Sequence, residues 1–199
     1  MQNQFLEYIP ETAVPQIESL LQLDNLIIKV KKERKTKHGD YRMLPEGKHQ
    51  ITVNGNLNPY RFLITLIHEI AHFEAYKTYG QLIKPHGKEW KQTFQHLMLP
   101  FLRPEIFPKE LLPLLARHFK NPKASSDTDG QLALALKQFD VANDKTYVFQ
   151  VNLNQRFKLY NDRVFIRGNK RRKRIECIEE ATGKMYLFNP YAEVKILEQ

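Results

Sequence analysis

With 199 residues, 42% of them hydrophobic and 27% charged, the chain is long enough for one ordinary core plus a small second unit. No run reaches the roughly 18 to 20 apolar residues that cross a bilayer; Met1 to Glu7 lack the basic-then-apolar order of a secretory leader, and a single cysteine, Cys177, excludes an internal disulfide, so a cytoplasmic protein without a membrane partner is expected. The net charge of +9 is uneven, since residues 1–144 hold 19 Lys and Arg against 16 Asp and Glu (+3) and residues 145–199 hold 12 against 6 (+6).

Glu11 to Leu23 reads as a helix with apolar Val14, Ile17, Leu20 and Leu21 on one side. Leu26 to Val30 reads as a strand, and a basic, turn-rich stretch from Lys31 to Lys48 leads to a second strand at Gln50 to Val53. Within that stretch His38-Gly39-Asp40-Tyr41 is expected to form a loop or hairpin beside the next helix. Strands ahead of a long helix give an α+β core with a sheet edge to which an extended peptide can add.

The helix has clear bounds. Asn58-Pro59 reads as an N-cap followed by proline at the first helical position, and Gly80 as the C-terminal stop. Phe62, Leu66, Ile67, Ile70 and Phe73 recur at three- and four-residue spacings, so one side is apolar. Into that run are set His68-Glu69-Ile70-Ala71-His72. At about 3.6 residues per turn, His68 and His72 stand one above the other and can grip one ion. Glu69, rotated by roughly 100°, lies beside that ion without taking a ligand position and can deprotonate a water. Chance on a solvated helix face is the competing explanation, but two imidazoles and a carboxylate inside an apolar run are costly without a metal or other partners.

Catalytic zinc takes three protein ligands and an open position. Glu74 and Glu89 are carboxylate candidates for the third. His86 is better placed, since it comes after the loop Gln81 to Pro85 and opens the helical stretch Gly87 to Leu97, and His96 is the next choice.

The two blocks together, His68-Glu69-x-x-His72 and His86-Gly87-Lys88-Glu89-Trp90, with the strand Gln50 to Asn54 before them, resemble the SprT-like metalloprotease domain over roughly residues 15 to 100. The resemblance implies a zinc metallopeptidase holding one Zn2+ on His68, His72 and His86 with Glu69 as base, and a zincin-like core. Relatives of that family act on proteins crosslinked to DNA, so proteolysis of DNA-associated proteins is a further implication of kinship. Trp90 is expected to pack the second helix against the first.

After Leu97, Pro100, Pro104 and Pro108 break the pattern, Lys109 to Phe119 gives another short helix, and Asn121 to Gly130 reads as a linker. Leu132, Leu136 and Phe139 suggest one more helical stretch. From Thr146 the texture changes to short β-prone runs: Tyr147 to Val151, Arg156 to Tyr160, Val164 to Ile166, Arg174 to Ile178, Met185 to Phe188 and Glu193 to Leu197, with turns at Asn161-Asp162 and Thr182-Gly183. The expected organisation is a metalloprotease domain over 1–120, a linker at 121–130, and a helix plus small basic antiparallel β module over 131–199. Members of the family often end in a zinc ribbon built on paired cysteines. Cys177 alone cannot build one, so Val148, Phe157, Phe165, Ile178 and Leu187 are expected to form the core of a metal-free, ribbon-like sheet.

Arg167-Gly168-Asn169-Lys170-Arg171-Arg172-Lys173-Arg174 carries six positive charges in eight residues between two expected strands. A hairpin tip of that charge can lie along a phosphate backbone, with strong salt dependence and little base specificity, which makes DNA a candidate partner beside the protein or peptide substrate. The rival reading is a nucleic-acid-binding or adaptor protein with a structural or inactive zinc site. An intact Glu69 speaks against it, because a structural site needs no base. The group that stabilises the oxyanion is not legible; Tyr41, Tyr76 and His38 are candidates.

Overall fold

The structure, a computed structural model, describes residues 4–21, 25–123, 125 and 128–198. They form mixed α and β elements in two compact units, divided between Asp140 and Val141. Among them is no helix long and apolar enough to cross a membrane.

In the first unit a short helix α1 (Val14–Leu20), preceded by a 3-10 turn at Glu11–Ala13, leads to strand β1 (Leu26–Lys31). The helix expected over Glu11 to Leu23 thus starts as a tighter turn, and its expected end at Leu23 lies outside the described residues. Strands β2 (Gly39–Met43) and β3 (His49–Asn54) complete a sheet of order β1-β3-β2, with β1 parallel and β2 antiparallel to β3. Every residue of β3 is buried, as suits a central strand covered on both faces.

Helix α2 (Pro59–Tyr79) packs on that sheet. Asn58 caps it by accepting the Arg61 N–H at 2.9 Å, Pro59 occupies the first turn and Gly80 the C-cap. Its first half is more deeply embedded than a one-sided apolar stripe requires, because Arg61 through Ile67 are all buried. Helix α3 (Lys88–Met98) crosses it, with Trp90, Phe94, Leu97 and Met98 facing inward. Helices α4 (Leu112–Phe119) and α5 (Gly130–Lys137) close the same core through Leu115, Phe119, Leu132 and Leu136.

The helix after the Asn121 to Gly130 segment therefore joins the first unit, whereas its sequence places it with the second. The physical reason lies in Asn58. While capping α2 it also donates from Nδ2 to the Leu136 carbonyl at 2.9 Å and to Asp140 at 2.5 Å, so the start of the central helix and the end of α5 satisfy each other.

The second unit is a six-stranded antiparallel sheet of order β4-β9-β5-β6-β7-β8, comprising β4 (Lys145–Tyr147), β5 (Arg156–Lys158), β6 (Val164–Arg171), β7 (Arg174–Glu179), β8 (Met185–Phe188) and β9 (Glu193–Ile196). Val148, Phe157 and Phe165 are in its core as expected, together with Ile175, Cys177 and Val194. Ile178 and Leu187 are not: they are 46% and 48% exposed. In β7 the inward positions are Ile175, Cys177 and Glu179, so strict alternation turns Ile178 outward, and apolarity alone does not reveal which parity faces in.

Candidate metal centre

Helix α2 carries His68, Glu69 and His72 at mid-length, with α3 laid across it. The turn between these helices delivers the third imidazole. His86 takes a left-handed backbone, φ 57°, which is uncommon outside glycine and places its side chain back over α2. Gly87 comes next because the chain passes the Lys84 carbonyl there: its N–H donates to that oxygen at 2.8 Å, and a Cβ at position 87 would lie 2.8 Å from the same atom. The glycine that follows the histidine in this block is thus a steric requirement of the turn.

The Nε2 atoms of His68, His72 and His86 lie 3.0, 3.1 and 3.2 Å from one another. Three such nitrogens cannot all be hydrogen bonded. Each Nε2 is either a donor or an acceptor, so at least two of the three must meet like against like. A cation at the centre removes the conflict: ligand bonds of about 2.0–2.1 Å in tetrahedral geometry separate nitrogens by about 3.3 Å, close to what is seen. Burial pushes the pKa of His68 down to about 2, with the neighbouring imidazoles adding to the effect, and that of His72 down to about 4; burial also lowers His86. Each shift favours the neutral imidazole, the form that binds a metal. Among the described residues this is the one group arranged to hold an ion, and Glu74, Glu89 and His96 are not part of it.

Trp90 is fully buried and packs against all three imidazoles, with ring centroids 4.6, 5.2 and 4.6 Å from His68, His72 and His86. Its Nε1 donates to the His68 carbonyl at 3.4 Å. The packing role expected of it is therefore narrower than helix spacing, since it fixes the orientation of the imidazoles themselves.

Glu69 is buried against β2. Gly39 lies so close that a Cβ there would be 2.5 Å from Glu69 Oε1 and 2.7 Å from Thr65 Cγ2. Burial raises the Glu69 pKa to about 8, with Asp40 adding and Arg34, Lys37 and a hydrogen bond from the Tyr41 backbone opposing. The loop that carries Gly39 is pinned by Arg34, which donates to Asn54 Oδ1 at 2.7 Å and Thr52 Oγ1 at 2.9 Å. Asn54 Nδ2 returns hydrogen bonds to the carbonyls of Arg34 and Lys37 at 3.0 and 2.9 Å. The stretch read as basic and turn-rich is thus a tethered rim ending in an edge strand.

The site opens into a cleft of about 650 Å³. Tyr41, Tyr76 and His38 all line it. The Tyr41 hydroxyl, however, shares a hydrogen bond with His49 Nδ1 at 2.9 Å, burial raises its pKa to about 12, and the Tyr76 hydroxyl donates to Met43 Sδ at 3.1 Å. The far wall holds a residue the sequence did not single out: His118, from the last turn of α4, paired through Nδ1 with Asp129 at 3.3 Å. No spacing rule connects positions 118 and 129 to the α2 motif, so only the fold reveals them.

In the second unit, β6 and β7 form the hairpin expected around the basic run. Lys170, Arg171, Arg172, Lys173 and Arg174 are exposed at its tip. Arg167 differs: it lies opposite Cys177, is half-buried, and its Nε is sealed from solvent without a hydrogen bond among the described residues. The register shifts between Arg167 and Lys170, where Gly168 lets the Glu176 carbonyl approach to 3.0 Å of a would-be Cβ.

In comparison with known proteins, the family model described as SprT-like matches residues 5–106. No solved structure matches the chain.

Proposed function

This chain belongs to the SprT-like family, and on that premise we propose that it is a zinc-dependent endopeptidase with His68, His72 and His86 as ligands and Glu69 as general base. The observation that carries the reading is the convergence of three imidazole nitrogens within 3.2 Å beside a buried carboxyl. A three-nitrogen set suits Zn2+ and leaves a fourth position for water and substrate. When bound, the ion supplies positive charge that activates water and polarises a carbonyl.

The chain's own groups do the rest. Glu69, whose ionised form the positive charge of a bound ion would favour against the effect of burial, takes the proton of the attacking water and returns it to the nitrogen of the scissile bond. The Tyr41 backbone and the Gly39 contact hold its carboxyl in place, and Trp90 keeps the imidazoles aimed. A peptide lying along the free edge of β2 passes beside these groups as an added strand.

The exposed charge of Lys170 to Arg174 supports a second element of the proposal: contact with the phosphate backbone of DNA, so that proteins associated with DNA are the substrates. It equally favours the rival reading, a nucleic-acid-binding or adaptor protein whose metal is structural. The single cysteine fits a cytoplasmic setting for either.

One experiment separates them. Zinc content is measured on the purified protein, and casein cleavage is tracked with and without single-stranded DNA for wild type and Glu69→Gln. Stoichiometric zinc with cleavage lost in the variant is expected. Stoichiometric zinc with identical behaviour of the two proteins would defeat the enzyme reading.

A further inference from the structure

His118 is a group on the cleft that this mechanism leaves unused. It is 4% exposed, yet it lines the cleft with the three metal-site histidines and Glu69. Its Nδ1 lies 3.3 Å from Asp129 Oδ2, and the other Asp129 oxygen is 3.3 Å from the Arg117 guanidinium. A carboxylate only accepts hydrogen bonds, so Nδ1 carries the ring proton and neutral His118 has its lone pair on Nε2. That nitrogen has no hydrogen-bond partner among the described residues. Burial lowers the His118 pKa, Asp129 works against this, and Lys123 and Arg117 reinforce it. At rest the cleft therefore contains a second proton acceptor whose tautomer is fixed from behind.

Amide hydrolysis near neutral pH moves two protons to the leaving nitrogen. The first comes from the attacking water through Glu69. The second is the hydroxyl proton left on the tetrahedral adduct. We propose that His118, oriented by Asp129, carries that second proton. As the C–N bond breaks, its electron pair goes to nitrogen, the hydroxyl proton passes to Nε2, and the new acid departs as carboxylate. The imidazolium so formed faces Asp129. It then gives the proton to the freed amine, which leaves as ammonium, and His118 is neutral again with no co-reactant consumed. Both residues lie beyond the stretch 5–106 that matches the family. It presupposes the peptidase reading above.

The test compares a peptide with its depsipeptide analogue, in which an ester replaces the scissile amide. An alcohol leaving group needs one proton, so Glu69 suffices for it. In the zinc-loaded full chain, His118→Phe is expected to lower kcat on the peptide by about tenfold to 10²-fold, the low end of acid-base contributions, with KM and ester turnover changed by less than about threefold. Asp129→Asn, which releases the tautomer, shows the same split, and keeps the test open if His118→Phe does not fold. Independently of turnover, 15N shifts of the metal-stripped protein show His118 protonated on Nδ1. Equal losses on peptide and ester, no loss on either, or a ring protonated on Nε2 would overturn the role. If zinc-loaded wild type cleaves neither substrate, the peptidase reading fails first; if it cleaves the peptide and His118→Phe matches it, only the role of His118 fails.

Discussion

Adding a single methyl group at Gly39 tests whether the β2 edge holds the Glu69 carboxyl, the proposed general base, in place. Gly39 has no need of glycine for its backbone, since it is not among the positive-φ residues, so any effect of Gly39→Ala is steric. The new Cβ would be 2.5 Å from Glu69 Oε1, 2.8 Å from Glu69 Cγ and 2.7 Å from Thr65 Cγ2. Ordinary contact begins near 3.4 Å, so Oε1 must retreat by about 0.9 Å. Thr65 cannot easily yield, because its hydroxyl donates to the Arg61 carbonyl at 2.8 Å, and the movement falls on Glu69. A displacement of about 1 Å in a reacting group costs up to about 10²-fold in rate. We expect kcat on a fluorogenic peptide to fall by about tenfold to 10²-fold, equivalent to about 1.4–2.7 kcal/mol in the barrier. Zinc content should match wild type, and overpacking should cost no more than about 1–3 kcal/mol of stability. A zinc-loaded Gly39→Ala protein with kcat within twofold of wild type would refute the clamp.

Removing His86 as Ala should weaken zinc retention against a chelator by more than the about 10–100-fold typical of an outer-shell partner, and retention equal to wild type would exclude it as a ligand. In the metal-stripped protein the depressed pKa values of His68 and His72 mean that the unfolded chain binds more protons below about pH 6.5. Stability is therefore complete above that pH and declines toward pH 4; denaturant unfolding at pH 7.5 and 5 giving equal stabilities would contradict this. Glu179, held at about 2 chiefly by Arg163 and Thr182 against an ordinary 4.5, stabilises the second unit above pH 4.5 and loses that contribution as pH falls toward 2. Glu179→Gln should flatten that acid limb, read by circular dichroism. Neutralising Lys170 to Arg174 should weaken single-stranded DNA binding and make the salt dependence shallower by about 0.7 per lost contact, and an unchanged slope would remove the hairpin from the interface.

The candidate metal site is legible in the sequence because helical spacing fixes His68 and His72 relative to each other, and a glycine needed by the turn marks His86. The caps Asn58 and Gly80 are legible for the same local reason. The α+β class is legible from strand texture before and after the helices. What is hidden depends on contacts between distant residues. β2 is short, polar and half-exposed, so its strand character comes from pairing with β3 rather than from its own residues. The Asn121 to Gly130 segment has linker composition, yet Asn58 and the apolar side of α5 draw that helix into the first core. The parity of β7 is set by which neighbours cover it, and two apolar residues accordingly face outward. His118 enters the cleft only because α4 ends there.

Trp90 is also the sole tryptophan of the chain. The indole that braces the three imidazoles is therefore the protein's only source of tryptophan emission, and nothing elsewhere dilutes its signal. Charging or metallating any of the three rings changes the field and the quenching at that one chromophore. Occupancy of the centre by a colourless ion such as Zn2+, or its replacement by a quenching ion such as Cu2+, can thus be monitored by intrinsic fluorescence on the unlabelled, unmutated chain.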